Sequence, residues 1–166
     1  MKKLILLLVI ITTNTFAQDK PISAFLEKWE NSKNYLIEMA ELMPEDFYEF
    51  KPTEREMTFR EQLIHIKGNM DWLSSTYFGS EKIEKTDKVL TKKEIIKSLE
   101  VSFNLVYDAV KKTKPEDLKL KVDFFAGEKT KLQILNLLQD HVTHHRGQII
   151  VYLNLNDVQP PKYVGW

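Results

Sequence analysis

Three stretches of helical apolar spacing each open on a threonine three positions before a Glu or Gln: TFRE at Thr58 to Glu61, TKKE at Thr91 to Glu94, and TKLQ at Thr130 to Gln133. In this arrangement the threonine hydroxyl accepts from the N–H three residues on, and the Glu or Gln side chain accepts from the threonine N–H. Two donors that a helix start leaves orphaned are satisfied together. Behind each box apolar residues recur at helical spacing. Phe59, Leu63, Ile66, Met70, Leu73 and Tyr77 follow the first box, and Ile95, Leu99, Phe103, Val106 and Val110 the second. Leu135, Leu138, Val142, Ile149 and Leu153 follow the third. A stripe without a box, Trp29, Leu36, Ala40 and Met43, marks another helix over about 22 to 43. The second helix stops near Gly79 and the fourth at DVQPPKY, where paired prolines cannot continue it. No segment alternates as a strand does. The expectation is an all-α fold, an antiparallel four-helix bundle with two longer connecting loops, 44–57 and 114–129.

Those loops exceed the usual bundle connection and open on the same phrase, MPEDF at Met43 to Phe47 and KPEDL at Lys114 to Leu118. Pro44 precedes the capping Thr58 by 14 positions, and Pro115 precedes Thr130 by 15. The chain reads as two similar helix pairs, each led through a proline-started turn into a histidine-bearing helix.

The first seventeen residues are of another kind. Lys2 and Lys3 precede an apolar run from Leu4 to Ile11, and small residues stand at Thr15 and Ala17. This order predicts a secretory signal peptide cleaved after Ala17, leaving 18–166 as one domain exported to a periplasmic or extracellular space. The apolar run is far shorter than the ~20 residues that span a bilayer, so no stable membrane insertion is expected after cleavage. The chain has no cysteine, which excludes disulfides, thiolate ligands, a cysteine nucleophile and a lipidated cysteine. The leader holds two of the 24 basic residues and none of the 24 acidic ones, so the remainder is near −2 and carries no electrostatic footprint for nucleic acid. Its densest basic run, Lys111 to Lys121, is broken by Glu116 and Asp117 and reads as a solvated helix end and loop.

Three of the four histidines crowd into HVTHHRGQII, and the fourth is His65 in LIHIKGNMDWL. His141 and His145 are one helical turn apart, about 40° around the axis, so both rings can reach one point. Counting in threes and fours from His141 gives Ile134, Leu138, His145 and Tyr152, which predicts that the pair projects into the bundle. Inward imidazoles without a carboxylate are costly unless something satisfies their nitrogens. His65 lies on a face with Thr58, Glu61, Gly68, Asn69 and Trp72 that flanks the apolar Leu63, Ile66 and Met70 stripe, which puts it at the rim of a cavity where Gly68 leaves room for a ligand or a close helix contact. Three neutral imidazoles suffice for a catalytic metal with an open position, so His65, His141 and His145 are the candidate ligands. His144 lies 100° from His145, toward Asp140 and Gln148, and reads as an outer partner or a surface residue. Trp72 and Tyr152, each seven positions after a candidate ligand, are candidate pocket residues, with core packing the plainer role. Gln148 is a further candidate outer partner or pocket residue; the plainest role of Arg146 and Gln148 is to hold a loop or neighbouring helix by hydrogen bonds, and Arg146 points away from the pair.

HVTHHRGQIIVYLNLNDVQPPKY resembles the C-terminal signature of the DinB/YfiT-like metalloenzyme family, and PEDFYEFKP with EQLIHI resembles that family's first half. The likeness covers essentially the whole of 18–166. It implies a four-helix bundle holding one divalent metal on three histidines, which carry over onto His65, His141 and His145, and it makes a homodimer plausible. Relatives that transfer or isomerise with small thiols imply a transferase, or a hydrolase-like enzyme, acting on a small-molecule substrate. Three neutral ligands leave the ion's charge uncompensated, so it would acidify a water toward a pKa of ~7 if zinc, or polarise a carbonyl or thiolate. Imidazole accepts zinc, nickel, iron or copper; zinc or nickel is expected first, then iron. Small thiols are cytosolic reductants, so export favours hydrolytic or lyase chemistry. No HExxH glutamate is present. Glu61 and Asp140 are the candidate general bases, with helix capping and surface solvation their plainer roles. The rival readings are a non-catalytic metal-binding or sensing protein and a structural bundle without metal.

Overall fold

The structure is a computed structural model that describes residues 20–84 and 88–165, so the expected leader lies outside the described residues. Four helices dominate: α1, Lys20–Leu42; α2, Phe59–Tyr77; α3, Lys92–Lys112; and α4, Lys131–Leu155. All three capping boxes form. Thr58, Thr91 and Thr130 each accept from the third helical N–H, and Glu61, Glu94 and Gln133 each accept from the capping threonine's own N–H. The predicted stops hold as well: Gly79, at φ +73°, follows α2 in the left-handed conformation glycine favours, and α4 ends as the chain turns through Asp157 at φ 56°.

The helices are arranged as two antiparallel pairs. In the first, Trp29 Nε1 donates to the Phe103 carbonyl (3.0 Å) near the middle of both helices, and Lys92 Nζ, at the start of α3, donates to the Glu41 and Met43 carbonyls (2.7 Å each) at the end of α1. So α1 runs against α3. In the second, Tyr152 donates to the Met57 carbonyl (2.6 Å) just before α2, while Lys131 lies over the Phe78 ring just after it, so α2 runs against α4. Arg60, early in α2, donates to the Leu90 carbonyl just before α3, and Ser32 of α1 receives Gln139 Nε2 of α4 (3.1 Å). Around the bundle the order is therefore α1, α3, α2, α4, and successive helices run up, down, down, up.

This order explains the two long connections. Both α1 to α2 and α3 to α4 join diagonal helices, so the chain must cross an end of the bundle each time. The repeated Pro-Glu-Asp phrase forms the same structure in both, a 3-10 turn over Glu45–Phe47 and another over Pro115–Lys119. In the first crossing Tyr48 is fully buried, its hydroxyl donating to the Ala40 carbonyl (2.7 Å). The second adds a short antiparallel ladder, β1 (Lys121–Val122) with β2 (Lys129–Thr130). Two residues a side are too few for alternation to show in the sequence.

The apolar stripes meet in one core. Trp29, Leu36, Met43, Leu63, Ile66, Met70, Leu99, Phe103, Val106, Leu138, Val142 and Ile149 are all fully buried. A buried leucine or phenylalanine contributes roughly 1.5–3 kcal/mol relative to exposure, so this shared interior is what holds the helices in place. Among the described residues no helix is long and apolar enough to cross a membrane.

Candidate metal centre

Antiparallel packing of α2 on α4 sets residue 62 against 145 and 65 against 141, so the rising numbers of one helix meet the falling numbers of the other. His65, His141 and His145 consequently converge. One ligand nitrogen from each lies within 4.8 Å of the others, an arrangement that could hold a metal ion. Ring centroids are 4.9 Å apart for His65 and His141, 4.6 Å for His65 and His145, and 4.5 Å for His141 and His145. The Nε2 atoms of His65 and His141 are 3.1 Å apart. Two nitrogens bound tetrahedrally to zinc at ~2.0–2.1 Å would be ~3.4 Å apart, so little movement separates this spacing from a ligated one.

The pair projects inward in part, and His65 flanks the core stripe of α2 as its helical face predicts. His145 is buried, His141 half-buried and His65 exposed, so the cluster climbs from the core edge to the open side of the α2/α4 seam. The cause is the width of the stripe. Leu63, Ile66 and Met70 occupy the inward face of α2, leaving His65 on its flank.

Hydrogen bonds assign the protonation of one ligand. His145 Nδ1 faces two carbonyl oxygens, Gln62 Oε1 at 2.7 Å and Gln148 Oε1 at 3.0 Å. A carbonyl only accepts, so Nδ1 carries the proton and Nε2 presents its lone pair to the cluster. Gln62 is itself held: its amide donates to the Tyr152 hydroxyl (3.4 Å), which donates to the Met57 carbonyl. Burial, then His145, His65 and His144, push the His141 pKa down to about 4, and burial followed by His65 lowers that of His145. Both rings are therefore neutral at pH 7, the state a metal ligand needs. Two buried polar atoms here lack a partner, His141 Nδ1 and, one turn beyond His65, Asn69 Oδ1. A convergent imidazole donor set with an unsatisfied buried nitrogen fits a divalent ion of borderline softness.

The other predicted residues are placed as follows. Gln148 also donates to His144 Nε2 (3.3 Å), and His144 is exposed with its ring 4.9 Å from His145. Glu61 is committed to its cap, accepting from the Thr58 N–H at 2.7 Å, and Asp140 is exposed. Tyr152 is buried in the Gln62 relay, and Trp72, half exposed, stacks on Phe124 (5.9 Å). Arg146 is buried on the opposite side of α4, over the Tyr35 ring of α1 (5.1 Å) with Ser32 Oγ at 3.5 Å, and so holds the neighbouring helix. Gln62 is the site residue the sequence reading missed. Its signal was available: an amide three residues before a candidate ligand, on the buried flank of the same helix, must find a polar partner.

Solved structures share this architecture. A DinB-like protein of Bacillus subtilis superposes with a TM-score of 0.73 at 20% identity, over 86% of this chain and 99% of that one. A DinB-like protein of Bacillus cereus gives 0.75 at 20% identity, over 86% and 97%. A conserved protein of Enterococcus faecalis gives 0.54 at 16% identity, over 83% and 94%. At these identities the likeness is one of fold. No curated protein sequence matches the chain. The DinB family profile matches residues 12–164, nearly the whole chain, with all three clustered histidines inside the match, and the chain therefore belongs to the DinB family.

Proposed function

We propose that the chain is an exported metalloenzyme that holds one divalent transition-metal ion, zinc or nickel ahead of iron, and acts on a small molecule. The convergence of His65, His141 and His145 carries this reading. Three imidazole nitrogens on two helices, with one ring exposed, make an open site rather than a closed structural one. An ion there would supply Lewis acidity toward a substrate oxygen, a water or a thiolate. The protein's own contribution is positional. Gln62 and Gln148 fix the tautomer of His145, and burial keeps His141 neutral. With Glu61 held in its cap, His144 and Asp140, both exposed near the ligands, are the side chains left to move protons at the mouth. Export rests on the Lys2 to Ala17 leader and favours hydrolytic or lyase chemistry over thiol transfer.

A panel of esters, amides and thiol-dependent electrophiles, offered to the metal-loaded protein and to His65→Ala, tests the proposal. Turnover in the parent that falls at least about a hundredfold in the variant, with the helical circular dichroism retained, supports it. Equal rates in the two proteins would remove the metal from the chemistry.

A further inference from the structure

The exposed face of α2 continues beyond His65 through Gly68 to Trp72. Seven residues bring a helix back to nearly the same angle and advance it about 10 Å, so Trp72 stands on the line of the ligand ring. Gly68 lies between them, exposed, and a Cβ built there meets nothing within 4 Å. No close helix contact accounts for this glycine inside a helix. What it does is keep the path from His65 to Trp72 bare.

At the far end of that path is an aromatic shelf. Trp72 is 42% exposed and Phe125 is 83% exposed. Their rings are 6.2 Å apart, with Phe124 4.3 Å from Phe125 and 5.9 Å from Trp72. The tip of the second crossing, which carries both phenylalanines, is tied to α2 by the Tyr77 hydroxyl donating to the Asp123 carbonyl (3.1 Å). Leu137, one turn before His141 on α4, is exposed on the other helix of the seam. Between His65 and Trp72 the two charged residues of α2, Lys67 and Asp71, pair with each other at 2.6 Å, so the stretch carries no free charge.

From these placements we infer that the exposed α2 face from the histidine cluster over Gly68 to Trp72 and Phe125 is a binding subsite for a small molecule with a metal-ligating head and an uncharged spacer. Such a molecule carries a flat apolar group about 10 Å from the head. The inference rests on the metal reading above and gives it a substrate class.

The test uses two hydroxamates and calorimetry on the zinc-loaded protein. Acetohydroxamate offers the head alone; a phenylalkyl hydroxamate places a ring about 10 Å away. The phenylalkyl probe binds about tenfold tighter or better, as burying one ring predicts. Phe125→Ala and Gly68→Leu bring its affinity down toward that of acetohydroxamate while zinc content is unchanged, and Gly68→Leu, which loses no packing, guards against a simple folding defect. Equal affinities of the two probes on zinc-loaded parent would overturn the subsite alone, as would an advantage that survives both substitutions. Sedimentation showing a dimer that Phe125→Ala dissociates would overturn it in favour of a second copy on this face. Failure of the parent to hold zinc, with neither probe binding, would overturn the metal reading itself.

Discussion

Gln62 and His141 carry the sharpest consequences at the scale of single residues. Gln62 accepts from His145 Nδ1 and so presets the nitrogen that faces the other two rings. Removing an outer partner of this kind lowers metal affinity by roughly 10–100-fold. Because Gln148 still accepts from the same Nδ1, Gln62→Leu is expected near the lower end, about tenfold. Chelator competition checks this, and a Gln62→Leu, Gln148→Leu double variant should bind more weakly than either single one. His141 makes the metal-free protein sensitive to acid. Its pKa is depressed from the ordinary 6.5 to about 4, so the unfolded chain takes up a proton that the folded chain refuses. The stability conferred by the neutral ring is present above pH 6.5 and is lost as pH falls from there toward 4. Urea unfolding of the metal-free protein should show that slope, and His141→Ala should flatten it; an unchanged slope would mean that His141 is not a protected neutral ring.

At the scale of elements, helix starts were legible because their chemistry is local. Thr58, Thr91 and Thr130 each bond within three residues, so the sequence contains both partners of every box. The core was legible for a related reason, since the period of Leu63, Ile66 and Met70 states which face is inward. The flank positions were harder. A count of turns set His141 and His145 on an inward line, yet the exposure of His65 depends on how wide the α2 stripe is and where α4 meets it. That is a tertiary fact. Two substitutions test the element-scale account by urea unfolding. Thr130→Ala removes the acceptor for the Gln133 N–H and should cost about 1 kcal/mol. Gly68→Ala meets nothing and gains helix propensity, so it should add up to about 1 kcal/mol. A loss at Gly68 would show that the glycine is needed for the fold rather than for the open path beside the histidines.

For the whole molecule, the sequence announced four helices and two unusually long connections but not the order of the helices. The order α1, α3, α2, α4 follows from which stripes fit together, and it turns the long connections into diagonal crossings. It also makes the site. Setting α2 against α4 in opposite directions brings His65 to His141 across 76 positions of sequence, and a bundle with successive helices side by side would not need that pairing. An ion held there would tie α2 to α4, and a ligand at a hundred times its Kd stabilises the folded state by about 2.7 kcal/mol. Elemental analysis of the protein purified without a histidine tag, beside His141→Ala of the same helical content, reads metal occupancy of the three histidines directly. Close to one equivalent of a transition metal is expected in the parent and little in the variant. No metal in either after incubation with zinc or nickel, or equal metal in both, would contradict the metal reading.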